Sequence, residues 1–168
     1  MMDLFKKQAI RFGTTCLTED VVSVDLSSPT FVVKGNQSRF EAHSIIIATG
    51  ATAKRLDIPG TRDHEFWQKG VSACAVCDGA IPIFRNKDLF VVGGGDAACE
   101  EAMFLTKYAS KVYLVHRRDE LRASKIMAER TVKHPKIEVL WDSVVELVEG
   151  DNVVQSVTVK NVKTNASK

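Results

Sequence analysis

Val91-Val92-Gly93-Gly94-Gly95-Asp96-Ala97-Ala98 runs as apolar strand-type residues, breaks at three glycines and resumes as helix-forming sequence. Strand, glycine turn and helix in that order set up a βαβ unit, and the flanking sequence agrees. Asp88 to Val92 reads as the strand. Ala98, Ala102, Leu105 and Ala109 recur at spacings of four, three and four, which turns one face of a helix from about Asp96 to Tyr108 toward a sheet. Lys111 to His116 is the second strand. Each small residue of the turn meets a physical demand. Gly93 makes the tight bend, Gly95 lets a phosphate approach the backbone, and Ala98 allows helix and strand to pack closely. Free N–H groups at the helix start, where Asp96 sits, face the phosphates. A dinucleotide pyrophosphate is the ligand such a turn takes; a glycine loop that only reverses the chain is the alternative.

A unit built for NAD ends its second strand in an acid that bonds the ribose 2′-hydroxyl. This one ends His116-Arg117-Arg118, with Arg122 one helical turn further on. Guanidinium groups pair with a 2′-phosphate, each charge-assisted bond contributing roughly 1.5–3 kcal/mol. Two of them favour NADPH over NADH by on the order of a hundredfold or more. The competing readings are a solvated basic patch, or Asp119 acting as the acid if the strand end lies a few residues away.

Upstream of the turn stands Cys74-Ala75-Val76-Cys77-Asp78-Gly79. Two thiols separated by two residues close a disulfide within one turn of chain, and beside a βαβ pattern that spacing reads as redox chemistry. Zinc needs four ligands, and no second Cys-x-x-Cys or His-x-x-x-His accompanies the pair, so no metal is expected. Asp78 either moves protons near the leaving thiolate or caps the turn before Gly79. Cys16 and Cys99 read as core thiols, and His43, His64 and His134 as surface histidines.

Further out, residues 3 to 12 form a short helix, and 14 to 17, 21 to 26, 31 to 34 and 39 to 42 short strands between tight turns. Ser44-Ile45-Ile46-Ile47-Ala48-Thr49-Gly50 has no alternation, which predicts a strand buried on both faces. A linker or hinge over 51 to 60 separates two domains, 1–56 and 57–168. Asp119 caps a helix reaching Lys133, where His134-Pro135 stops it. Strands over 137 to 141, 144 to 148 and 153 to 162 follow, the last two turning at Glu149-Gly150-Asp151-Asn152. The fold class is α/β: a Rossmann-like βαβ domain with an antiparallel β addition, preceded by part of another domain.

Composition excludes several classes. With 45% hydrophobic and 26% charged residues among 168, the chain is neither disordered nor fibrous. A net charge of +2, with basic residues clustered only near 117 to 122, argues for one local anion site and against a nucleic-acid surface. No run approaches the roughly 18 apolar residues of a membrane span. The N-terminus has no signal or transit pattern, which predicts a cytoplasmic protein, or a mitochondrial one if an upstream targeting segment is missing.

Ser72-Ala73-Cys74-Ala75-Val76-Cys77-Asp78-Gly79, Phe104-Leu105-Thr106-Lys107-Tyr108 and His116-Arg117-Arg118-Asp119 resemble the low-molecular-weight, NADPH-dependent thioredoxin reductase family, plant type, along nearly the whole chain. The resemblance implies a flavoenzyme that passes electrons from NADPH through FAD and the disulfide to thioredoxin. It makes Cys77 the thiol facing the flavin, Cys74 the interchange thiol and Asp78 the acid-base residue. It gives Gly93, Gly95 and Ala98 to the NADPH pyrophosphate, Arg117, Arg118 and Arg122 to the 2′-phosphate, and Glu100 to the nicotinamide side, with Asp96 and His116 also in the cofactor site. Residues 1–56 become part of a FAD domain, with Thr49 and Gly50 closing its central strand, and 57–168 the NADPH domain. The intact enzyme is expected to be a homodimer. The family's N-terminal Gly-x-Gly-x-x-Gly and C-terminal Gly-Asp segments for FAD are missing, so this chain is expected to be a fragment that holds FAD weakly alone. A catalytically silent NADPH-binding or regulatory module is the alternative.

Overall fold

The computed structural model describes residues 1–168. They separate into two compact units, Met1–Ala51 and Thr52–Lys168.

The first unit holds helix α1, Met2–Arg11, and an antiparallel sheet of β1 (Val21–Asp25), β2 (Phe31–Gly35) and β3 (Arg39–Ala42) in that order. Glu19 fastens the β2–β3 turn by accepting the N–H groups of Gln37 and Ser38, both at 3.1 Å. Ser38 is the largest influence holding the Glu19 carboxyl below its ordinary range, followed by the Gln37 N–H. Two expected strands are absent. Residues 14 to 17 and 44 to 50 are irregular, and Ile46 and Ile47 are 92% and 75% exposed. A central strand needs a hydrogen-bonding neighbour on each side, and no strand of this chain pairs with residues 44 to 50. Cys16, expected in a core, is exposed for the same reason: its segment joins no sheet.

The second unit is a three-layer stack. Its middle layer is a parallel sheet ordered β4 (Asp88–Val92), β5 (Lys111–Val115), β6 (Ile137–Leu140). Helices α3 (Asp96–Leu105) and α4 (Lys125–Val132) provide the crossovers and cover one face. A hairpin of β7 (Ser143–Gly150) and β8 (Val154–Asn161) covers the other. Period-two alternation along β5 sorts the layers. Val112 and Leu114 join Cys99, Ala102, Leu105 and Ala109 beneath the helices. Val115 joins Leu140, Val145, Val148 and Val159 beneath the hairpin, with Tyr113 and Phe90 stacked at 4.9 Å beside them.

The expected helix from Asp119 begins only at Lys125, with Ser124 at the cap position. The loop ahead of it is laced onto the glycine turn, so its N–H groups point there instead of starting a helix. No helix is long and apolar enough to cross a membrane.

Candidate functional site

The glycine turn is held from below. Gly93 sits at φ +151°, in the region that favours glycine, and its N–H donates to the Val115 carbonyl at 3.1 Å. A Cβ on Gly93 would stand 2.8 Å from the Cβ of Ala98, so both small residues are needed for the turn to lie against α3. At Gly94 a Cβ would overlap the His116 ring. That ring is 6% exposed, and its Nε2 lies 2.8 Å from the Glu120 carbonyl oxygen. Gly95 caps α3, and the side where its Cβ would stand is open for 4 Å.

Two further bonds pull the arginine loop to the turn. The Arg122 N–H donates to the Gly94 carbonyl at 2.7 Å, and the Ser124 N–H donates to Asp96 Oδ1 at 2.8 Å. Arg117, Arg118 and Arg122 are all exposed, and none takes part in an ion pair. A cradle that side chains would fill, beside free guanidinium groups, fits a nucleotide bearing phosphate.

Asp119 is engaged elsewhere. Lys163 Nζ lies 3.3 Å from its Oδ2 and 2.9 Å from Oδ2 of Asp142. The hydrogen bond from Lys163 is the largest influence holding the Asp119 carboxyl below its ordinary range. The bond that Lys163 donates to Asp142 leads the influences that raise Lys163.

The redox pair sits at the other end of α3. Cys74 and Cys77 form a disulfide, Cα to Cα 5.3 Å, across the single turn α2, Ala75–Asp78. The Cys77 N–H donates to Cys74 Sγ at 3.2 Å. Cys77 is exposed and Cys74 half-buried. Gly79 lets α2 approach α3: a Cβ there would meet the Ala75 carbonyl oxygen at 2.6 Å and Leu105 Cδ2 at 2.7 Å. Gly79 thus sets the redox turn against the C-terminal part of α3, while the glycine turn opens that helix at its N-terminus. An open cleft of about 1050 Å³ runs past the pair, lined by Cys74, Asp78, Glu101, Arg55 and Trp67 among others; Cys77 is not part of its wall. The Arg55 guanidinium stacks 3.9 Å above the Trp67 ring.

The Asp78 side chain accepts from the Ser72 hydroxyl, and that hydroxyl accepts the Cys74 N–H at 3.0 Å. Glu100 is exposed, whereas Glu101 is half-buried, and burial pushes its carboxyl up. Ser72 entered the sequence reading only as the first residue of the Ser72-to-Gly79 stretch, with no role, and Glu101 and Lys163 escaped it. Glu101 left a signal: three residues after Ala98 and four before Leu105, it falls on the buried face of α3. Thr49 and Gly50 lie on exposed irregular backbone of the first unit, Gly50 at φ +75° with nothing packed against it. They form no enclosure for a flavin by themselves.

Residues 6–167 match the family model described as pyridine nucleotide-disulphide oxidoreductase. The chain is 56% identical over 164 residues to a thioredoxin reductase of Chlamydia pneumoniae, covering 98% of this chain and 53% of that protein. It is 54% identical over 169 residues to the mitochondrial thioredoxin reductase 1 of Arabidopsis thaliana, covering 98% and 45%. Among solved structures, thioredoxin reductase from Giardia duodenalis superposes with a TM-score of 0.86 at 46% identity, covering 99% of this chain and 54% of that one. The resemblance seen in the motifs therefore holds along the whole chain, which spans about half the length of the curated relatives it matches. By the match of nearly all its residues, and by a Cys74–Cys77 disulfide ahead of a glycine turn that opens α3, the chain belongs to the pyridine nucleotide-disulphide oxidoreductase family.

Proposed function

We propose that this chain carries the NADPH-binding and disulfide-bearing part of a thioredoxin-disulfide reductase. Residues 57–168 form the NADPH domain and residues 1–56 contribute to a FAD domain. The observation that supports this most is the arrangement on α3: a reducible disulfide opening to a cleft at one end, and a phosphate cradle flanked by three unpaired arginines at the other.

Each residue has work matched to its surroundings. Gly93, Gly95, Asp96 and Ala98 seat the pyrophosphate; Arg117, Arg118 and Arg122 take the 2′-phosphate, while His116, buried under Gly94, holds the turn to the arginine loop. Glu100 lies toward the nicotinamide. Cys74 faces the cleft that a protein disulfide would enter, Asp78 handles the proton there, and the exposed Cys77 faces the electron source. The chemistry supplied from outside these side chains is a hydride from NADPH, relayed as an electron pair through FAD. Thr49 and Gly50 contribute to the flavin side. Thioredoxin is the protein substrate, the intact enzyme is a homodimer, and its compartment is the cytoplasm, or the mitochondrion where a targeting segment precedes it.

NADPH-dependent reduction of thioredoxin by the purified chain, with and without added FAD, tests the proposal. Turnover that requires FAD is expected if the partial flavin domain suffices. No turnover under either condition rejects the catalytic role for this polypeptide and leaves a nucleotide-binding module.

A further inference from the structure

The hydroxyl of Ser72 closes a ring of hydrogen bonds around the redox turn. It accepts the Cys74 N–H at 3.0 Å and donates to Oδ2 of Asp78, while the Asp78 N–H returns to the Cys74 carbonyl at 3.2 Å. Only a group that is donor and acceptor at once can fill that place, which serine and threonine can and alanine cannot. Cys74 and Asp78 both line the cleft, and Cys77 does not.

We propose that Ser72 is a positioning residue for this disulfide, and that it commits the Asp78 carboxylate to Cys74 and not to Cys77. This rests on the role given to Asp78 above and adds which sulfur it serves and what aims it there. When the dithiol attacks a substrate disulfide, the Cys74 sulfur gives up its proton and bonds to one substrate sulfur, and the other leaves as a thiolate. Cys77, giving up its own proton, then displaces the first, and the two protons released by the pair end on the two substrate sulfurs, so that the pair ends oxidised and the substrate ends as a dithiol. Asp78, held by Ser72, is the acceptor placed for the proton leaving Cys74. Without the hydroxyl the carboxylate is free to turn to water and the Cys74 N–H loses its partner.

The test uses the full chain carrying Cys16→Ser and Cys77→Ser, so that Cys74 is the reporting thiol beside the buried Cys99, reduced with excess dithiothreitol, freed of it and mixed with 5,5′-dithiobis(2-nitrobenzoate), following the release of thiolate across a range of pH. Ser72→Ala is expected to slow that step by about three- to tenfold and to displace its pH profile, with Ser72→Thr restoring both. Asp78→Asn is expected to be slow as well, and Ser72→Ala added to it to cost nothing further, since both act through one carboxylate. A slow Asp78→Asn beside an unchanged Ser72→Ala overturns this proposal alone. An unchanged Asp78→Asn removes the acid-base role of Asp78 and this proposal with it. Unaltered circular dichroism of the variants separates either result from misfolding.

Discussion

Lys163 Nζ stands 3.3 Å from Oδ2 of Asp119, joining residues 44 apart in sequence at the edge of the arginine loop. Asp119 is the carboxylate nearest in sequence to Arg117 and Arg118, so Lys163 engages an acid that would otherwise compete with a phosphate for them. Replacing Lys163 by Ala is expected to weaken NADPH binding about three- to tenfold while leaving NADH nearly unchanged, and Asp119→Asn in the same chain to restore it. Titrations of both nucleotides against the three chains measure this. The pair also has a pH window. Asp119 is depressed, so its contribution stands above the ordinary aspartate value and fades as pH falls through the folded one; Lys163 is raised, so its share persists until pH climbs through its own raised value.

Arg117 and Arg118 have no carboxylate partner, so removing them leaves no buried charge behind. The double change to Ala is expected to lower NADPH affinity by on the order of a hundredfold and NADH affinity little, with unchanged melting temperature. A preference for NADPH that survives would show the cluster is not what reads the phosphate.

Gly94→Ala sets a methyl group against the His116 ring, which is fixed through Nε2 to the Glu120 carbonyl. The ring cannot retreat without breaking that bond, and a loss of about 1–3 kcal/mol is expected in denaturant unfolding. Adding His116→Ala should recover part of it, since the obstacle is the imidazole and not the backbone.

Glu101 titrates against burial. A carboxyl raised in the folded state favours folding while protonated, and that advantage is lost as pH rises from the ordinary glutamate value through the raised one. Glu101→Gln is therefore expected to melt slightly higher than the parent near neutral pH, by well under about 1 kcal/mol because the group is still partly in water. The difference should close as pH falls below the ordinary carboxylate range.

The βαβ core was legible because its signals are local. Gly93 and Ala98 meet within one turn of helix, and Ala102, Leu105 and Ala109 repeat at helical spacing, so a short window held the whole pattern. Residues 44 to 50 were not legible, because Ile45-Ile46-Ile47-Ala48 is the same string whether or not strands exist to flank it. Asp119 has the chemistry of a helix cap, and what moved the helix start to Lys125 is long-range: Gly94 and Asp96 take the N–H groups of Arg122 and Ser124. Lys163 acts through side-chain contacts that carry no period and no motif, and Ser72, though it opens the Ser72-to-Gly79 stretch, shows its link to Asp78 only in three dimensions.

Both hydrophobic clusters of the second unit draw all their members from between Ile58 and Val159. A segment that carries its own interior is portable. Trimmed at the irregular stretch near Thr52, it should survive protease as a resistant core, and it could be grafted behind a different electron donor without redesigning a single packed side chain.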